Sequence, residues 1–244
     1  MLNFNMQRFY TKYLDDIRDD QLRYSANHLN DTGPIADVVP FDGIGGLPGC
    51  PVWQIVYVVI ARNMFKHYGS HAVPTLQRHY QGLEQLMAWF DRHADHVDGL
   101  LPPRACQERQ CGACYGDWMG FDPESRNSGS SALTPQSSVT AFYHVLAQDY
   151  MATIAEALGK TEQHAKWTAA HKKLKAAFHL RYFNSTVGGY SPCVADKAPS
   201  GVVWPKAANR SCHGTSAAGS QVFLYFTTLT ELVYKLRALW VASV

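Results

Sequence analysis

The chain has 244 residues, of which 46% are apolar, and a formal net charge of +2. That is enough for one large domain or two small ones with a packed core, which excludes global disorder. The basic residues form no stripe, which excludes a nucleic-acid footprint, and no run of about 18 apolar residues calls for a membrane span. The start, Met1-Leu2-Asn3-Phe4-Asn5-Met6, lacks the basic segment and apolar stretch of a signal peptide.

Apolar spacing predicts six helices. The first covers about 4–24, with Phe4, Phe9, Tyr10, Tyr13, Leu14 and Ile17 recurring at helical intervals. A Gly/Pro-rich stretch follows, and a second helix over about 52–68 stops at Gly69. The third covers about 72–96, with a face of Leu76, Tyr80, Leu83, Leu86, Met87 and Phe90. The fourth covers about 136–158, with Val139, Phe142, Tyr143, Leu146, Tyr150 and Ile154 in register, and stops at Gly159. Thr161 is an N-cap candidate for the fifth, whose face is Trp167, Leu174 and Phe178. A sixth is expected over about 216–240.

The connections alternate in length. Those at about 25–50, 97–134 and 182–214 are long, and those at about 69–71 and 159–161 are short. Connections beyond about 15 residues tend to carry function. In an up-and-down array, alternate connections share an end, so the long loops are expected together. Two architectures satisfy this pattern: an α/α barrel with one active face, or an ordinary helical bundle with variable loops.

The sharpest local string is Cys114-Tyr115-Gly116-Asp117-Trp118, inside the second long loop. A carboxylate beside an indole suits sugar chemistry, because the acid bonds hydroxyls or moves a proton and the ring covers the pyranose C–H face. The same pair would equally serve as a turn-capping Asp and a loop-anchoring Trp. Pro51-Val52-Trp53 places another Trp near the long-loop end, where a buried aromatic at a helix start is the plain alternative. The acidic run from Asp15 to Asp20 is expected to be a solvated helix face. His67, His71, His79, His93 and His96 are expected to be scattered surface groups, and no metal site is expected.

Six Cys occur, at 50, 106, 111, 114, 193 and 212. Cys106, Cys111 and Cys114 match the spacing of a plant-type [2Fe–2S] ligand run, but the next Cys is distant and the setting is helical, so no cluster is expected. A disulfide within this loop or free thiols are the alternatives, and Cys50 could pair with a loop Cys if the long loops meet. Acceptor triplets for N-glycosylation start at Asn30, Asn184 and Asn209, all in expected loops. With the Cys they point weakly to an oxidising compartment, secreted or lysosome-like.

Several strings, taken in order, resemble the catalytic domain of α-L-rhamnosidases. These are Asn3–Tyr10 running on through Leu14–Gln21, Gly33–Pro40, Pro51-Val52-Trp53 with Phe65–Gly69, Tyr115–Trp118, and Thr140–Tyr143 followed by Ile154–Lys160. The likeness covers about 1–190, and 191–244 is left unassigned, although Gly219-Ser220-Gln221 fits the start of a later inner helix. The resemblance implies an (α/α)6 toroid, of which this chain corresponds to about half. It also implies inverting hydrolysis of a terminal L-rhamnose without a cofactor, with Trp53 and Trp118 walling the sugar and Asp117 binding a hydroxyl. Asp117 is the one candidate catalytic group.

The chain departs from the family pattern in three places. Gln54-Ile55-Val56 follows Trp53 where the family has Gly-Asp-Ala. A segment of the type Asp-Cys-Pro-x-Arg-Glu is absent from the chain, as is a match to the family's late Glu base. Weak or absent turnover is therefore expected, with self-association through uncovered inner helices. Two other readings remain: another toroidal glycosidase, trehalase-like or glucuronyl-hydrolase-like, or a non-catalytic carbohydrate-binding or interaction protein.

Overall fold

The computed structural model describes residues 2–29, 31–102, 136–184 and 189–190. The helix expected over 216–240 and most of the second and third long loops lie outside the described residues. The chain divides into two units, Met1–Phe178 and His179–Val244.

The first unit is built from helices: α1 (Leu2–Asn27), α2 (Pro51–Gln54), α3 (Val56–Tyr68), α4 (Val73–His93), α5 (Gln136–Ala157) and most of α6 (Thr161–Tyr182). A single 3-10 turn, Gly69–Ala72, joins α3 to α4. Pro51 starts α2 and Pro74 lies in the first turn of α4, where a missing N–H costs nothing. The expected single helix over 52–68 is split at Ile55, which caps α2 and opens α3.

Helix directions follow from paired side chains. Along α1 and α4, Gln7 donates to the His71 carbonyl at 3.2 Å, Arg78 pairs with Asp15 at 2.9 Å, and Gln21 donates to the Gly82 carbonyl at 3.0 Å. The numbers rise together, so α1 and α4 run parallel. Along α5 and α6 they run oppositely: His171 Nδ1 donates to the Val145 carbonyl at 3.1 Å and His164 Nδ1 to the Ala152 carbonyl at 3.0 Å. The long connections after α1 and α4 therefore leave from one end, as the alternating rhythm predicts.

Burial separates two layers. Before their last turns, α3 and α5 carry no exposed side chain among the described residues, whereas α4 and α6 are exposed along one side. A helix apolar or buried on nearly all sides is an inner element, and one with a single stripe is an outer element. The order is outer α1, inner α3, outer α4, inner α5, outer α6. Short links run from inner to outer helices and long links from outer to inner. Trp167 of α6 donates to the Tyr80 hydroxyl of α4 at 3.1 Å, locking neighbouring outer helices.

The faces predicted for α4 and α6 are the buried ones. The face predicted for α5 is buried only in part: Ile154 is buried and Val139, Phe142, Tyr143, Leu146 and Tyr150 are half-buried, while Ala141, His144, Ala147, Gln148, Met151 and Ala155 outside it are buried. Periodicity marks one stripe, and an inner helix is at least half-buried on nearly every side. Phe9, assigned to the face of α1, is 62% exposed.

The acidic run of α1 is not a plain solvated face. Asp20 is buried and accepts from the Phe41 amide at 2.6 Å and from Arg23. Asp15 accepts from His79 Nε2 at 3.0 Å, which leaves Nδ1 to accept the Tyr57 hydroxyl at 2.9 Å. His79 is thus a buried link between α1, α4 and α3, and not a surface group. Its burial pushes its pKa below the usual histidine value, against the pull of Asp15.

In the second unit, β1 (Phe183–Asn184) and β2 (Gly189–Tyr190) form a short antiparallel pair. Asn184 therefore lies on a strand instead of in a loop. The His179 ring stacks on Phe183 at 4.5 Å and lies 3.0 Å from the Tyr190 hydroxyl.

Candidate functional site

The end of the first unit where the long connections leave carries residues 28–29 and 31–50 and the start of α2. This loop is tied down at both flanks. Asp31 accepts from Trp89 Nε1 at 2.7 Å and from the Tyr24 hydroxyl at 3.0 Å, and Arg92 donates to the Thr32 carbonyl at 2.5 Å. Gln21, fully buried, donates to the Gly33 carbonyl at 2.5 Å as well as to Gly82. A glutamine that satisfies two buried carbonyls removes the penalty each would carry unpaired.

Beyond Gly33 the loop closes on itself through Asp37. Its carboxylate accepts from the Gly46 amide at 2.7 Å and the Cys50 amide at 2.6 Å, while the Asp37 amide donates to the Gly46 carbonyl at 3.0 Å. Burial pushes the Asp37 carboxyl above the usual range, and the two amide hydrogen bonds pull the other way. A second bridge comes from Gln54, which is fully buried. Its Oε1 accepts from the Ile35 amide at 3.0 Å and its Nε2 donates to the Gly49 carbonyl at 2.7 Å. Cys50 is disulfide-bonded, and the other five Cys lie outside the described residues.

Trp53 stands on α2 directly after this closed loop and is 42% exposed, so its indole is not the buried core aromatic that the plain alternative described. Ile55, where the family pattern carries a carboxylate, is 3% exposed and belongs to the core. Asp117 and Trp118 lie outside the described residues, so Trp53 is the one predicted sugar-site residue whose place is described. Cys106, Cys111 and Cys114 also lie outside. Among the described residues, no group of three His, Cys, Asp or Glu is placed to hold a metal ion, and no helix is long and apolar enough to cross a membrane.

Asp37 and Gln54 were not singled out by sequence reasoning. The one available signal was the departure at Gln54 from a glycine-containing pattern, which marks a side chain placed where the family needs none.

Alternating inner and outer helices, with the long links leaving from one end, define the class of helical-hairpin domains. A family model for the bacterial alpha-L-rhamnosidase 6 hairpin glycosidase domain matches residues 1–216, and the chain belongs to that family. Two solved structures are similar in fold. The alpha-L-rhamnosidase from Dictyoglumus thermophilum has 24% identity and a TM-score of 0.56 over 74% of this chain. The native alpha-L-rhamnosidase from Aspergillus terreus has 21% identity and a TM-score of 0.56 over 74% of this chain. The chain spans 17% and 19% of the lengths of those two chains. No curated protein matches the sequence.

Proposed function

We propose that this chain forms the Trp53 wall of a terminal L-rhamnose site of the α-L-rhamnosidase type. The reaction of that site is inverting glycoside hydrolysis, and the chain on its own turns over rhamnosides weakly or not at all. The observation that carries the reading is an exposed indole at the long-loop end of a six-hairpin rhamnosidase domain. An indole there presents an apolar face to the C–H surface of a pyranose. Trp118 would supply a second wall and Asp117 a hydroxyl ligand.

Inversion needs a general acid on the leaving oxygen and a general base on a water, with carboxyls roughly 6.5–9.5 Å apart. Ile55 occupies the position of one expected carboxylate and is packed into the core. In the described part of the loop, Asp31 and Asp37 are each engaged by two donors, and Asp42 accepts from the Ile44 amide at 3.0 Å. Asp117 is the one carboxylate matched by resemblance, and one carboxylate cannot serve both roles. The buried Ile55 also favours a second reading, a carbohydrate-binding protein that holds the sugar without cleaving it.

The test is release of p-nitrophenol from its α-L-rhamnoside by residues 1–244. We expect no rate above the uncatalysed background, because acid and base groups each contribute about 10²–10⁴-fold. Turnover abolished by Asp117→Asn would contradict the reading. Turnover of another glycoside would assign the chain to a trehalase-like or glucuronyl-hydrolase-like activity.

A further inference from the structure

Trp53 sits on a helix of only four residues, Pro51–Gln54, which is too short to hold its own shape. Its backbone amide and that of Gln54 both donate to the Cys50 carbonyl, at 2.9 and 3.0 Å. Those bonds shape the turn, but they do not place it on the molecule. The indole is 42% exposed, and α2 lies against α5 and α3. Buried Pro51 and Ile55 seat the ends of the turn in the core, and its orientation is fixed further by what grips residues 49–54 from the preceding loop.

Beside the Cys50 disulfide, two hydrogen-bonding side chains do this. Asp37 takes the Cys50 amide on Oδ1 and the Gly46 amide on Oδ2, so one carboxylate joins the middle of the loop to the residue that opens the turn. Gln54 bridges the Ile35 amide and the Gly49 carbonyl, and the Gly49 amide in turn donates to the Ile35 carbonyl at 2.8 Å. The turn is therefore held before Trp53 through Cys50 and after it through Gln54. A Cβ on Gly49 would meet the Asp37 amide nitrogen at 2.6 Å and Oδ1 at 2.7 Å, which shows how closely the two strands of the loop approach.

We infer that Asp37 and Gln54 are positioning residues for Trp53: together they fix the indole at the long-loop end, and sugar affinity depends on them although neither touches the sugar. The dependence of affinity rests on the sugar-site reading above; the fixing of the indole does not. Charge-assisted hydrogen bonds such as those of Asp37 are the stronger kind, and a glutamine bridging an amide and a carbonyl cannot be replaced by a residue with one polar function. The clamp is intramolecular and preformed, so the ligand does not have to order the wall on arrival.

The experiment uses residues 1–244 with Cys50 kept oxidised. The chain has 6 Trp, so the Trp53 signal is taken as the difference between each protein and the same protein carrying Trp53→Phe. Acrylamide quenching and emission of that difference signal are measured in wild type, Asp37→Ala, Asp37→Asn, Gln54→Ala and Gln54→Glu. Helical circular dichroism and the thermal midpoint report folding. The Trp53 signal should become more quenchable and shift in emission in both alanine variants. Asp37→Asn, which keeps one acceptor, should lie between wild type and Asp37→Ala. Gln54→Glu, which keeps the acceptor and loses the donor, should lie between wild type and Gln54→Ala.

Affinity for L-rhamnose should fall about tenfold in the alanine variants, the loss expected from about 1.4 kcal/mol of positioning. A Trp53 signal unchanged in folded Asp37→Asn and Gln54→Glu overturns the inference, whatever happens to the thermal midpoint. A changed Trp53 signal with no L-rhamnose binding to any form, wild type included, supports the clamp and removes the sugar reading.

Discussion

Gly33→Ala is expected to destabilise the first unit by about 3–4 kcal/mol, and Gly43→Ala by only about 1–2 kcal/mol. Both glycines have positive φ, +114° and +96°, so backbone strain on substitution is common to the two. The space around them differs. A Cβ on Gly33 would overlap the Gln85 carbonyl oxygen, with the carbonyl carbon at 2.8 Å and the Trp89 Cβ at 3.3 Å. These atoms belong to the backbone and core side of α4, which cannot yield without opening the α1–α4 junction. Around Gly43 nothing lies within 4 Å. For a chain of this size, thermal unfolding of Gly33→Ala should drop by roughly 10 °C and that of Gly43→Ala by a few degrees at most. Equal shifts at the two positions would show that strain alone, and not the close approach to α4, makes Gly33 necessary.

His144 is expected to make the fold acid-labile between about pH 6.5 and 4. It is 2% exposed, on inner helix α5, with Phe90 edge-on at 5.9 Å. Burial pushes its pKa down to about 4. Asp91 stands 3.9 Å from Nε2, too far to hold a proton on the ring by a hydrogen bond. Below pH 6.5 the unfolded chain takes up a proton here that the folded chain refuses. The unfolded state then binds more protons, so stability rises with pH across this window and falls on acidification. A shift of this size corresponds to about 3 kcal/mol between the two ends of the window.

His79, whose pKa is also lowered by burial, acts in the same direction. Asp37 and Asp91 have raised pKa values, so their folded forms keep a proton that the unfolded chain loses, and each favours the folded state at the acid end. Comparing wild type with His144→Phe isolates the His144 contribution. The variant should show a flatter dependence of urea midpoint on pH between 6.5 and 4. Parallel curves would mean that His144 is not held neutral by the fold.

The same residues show what the sequence makes legible. The face of α4 is correct because an outer helix buries one stripe, and 3.6-residue periodicity reports a stripe. The face of α5 is legible only in part because an inner helix is at least half-buried on nearly every side, so His144 and Gln148 look like polar-face residues although both are buried. The loop rhythm is legible because connection length survives in the sequence. The clamp of Asp37 and Gln54 is not: an aspartate in a Gly/Pro-rich loop looks like any turn residue until its carboxylate is seen on the Gly46 and Cys50 amides. Asp15 and Asp20 were hidden in the same way, since an acidic run has the composition of a solvated face. Trp53 could be named by resemblance, but that it is exposed while Ile55 beside it is buried is seen only in the structure.

The central claim, that the long-loop end of this chain carries a rhamnose site walled by Trp53, is tested most directly by calorimetric titration. L-rhamnose, D-glucose and D-glucuronate are titrated separately into residues 1–244 and into the Trp53→Ala variant. The account predicts saturable binding with preference for L-rhamnose, weakened at least about tenfold in Trp53→Ala with helical content unchanged. Equal L-rhamnose affinity in the two proteins, or tighter binding of D-glucose or D-glucuronate by the unmodified chain, would contradict it.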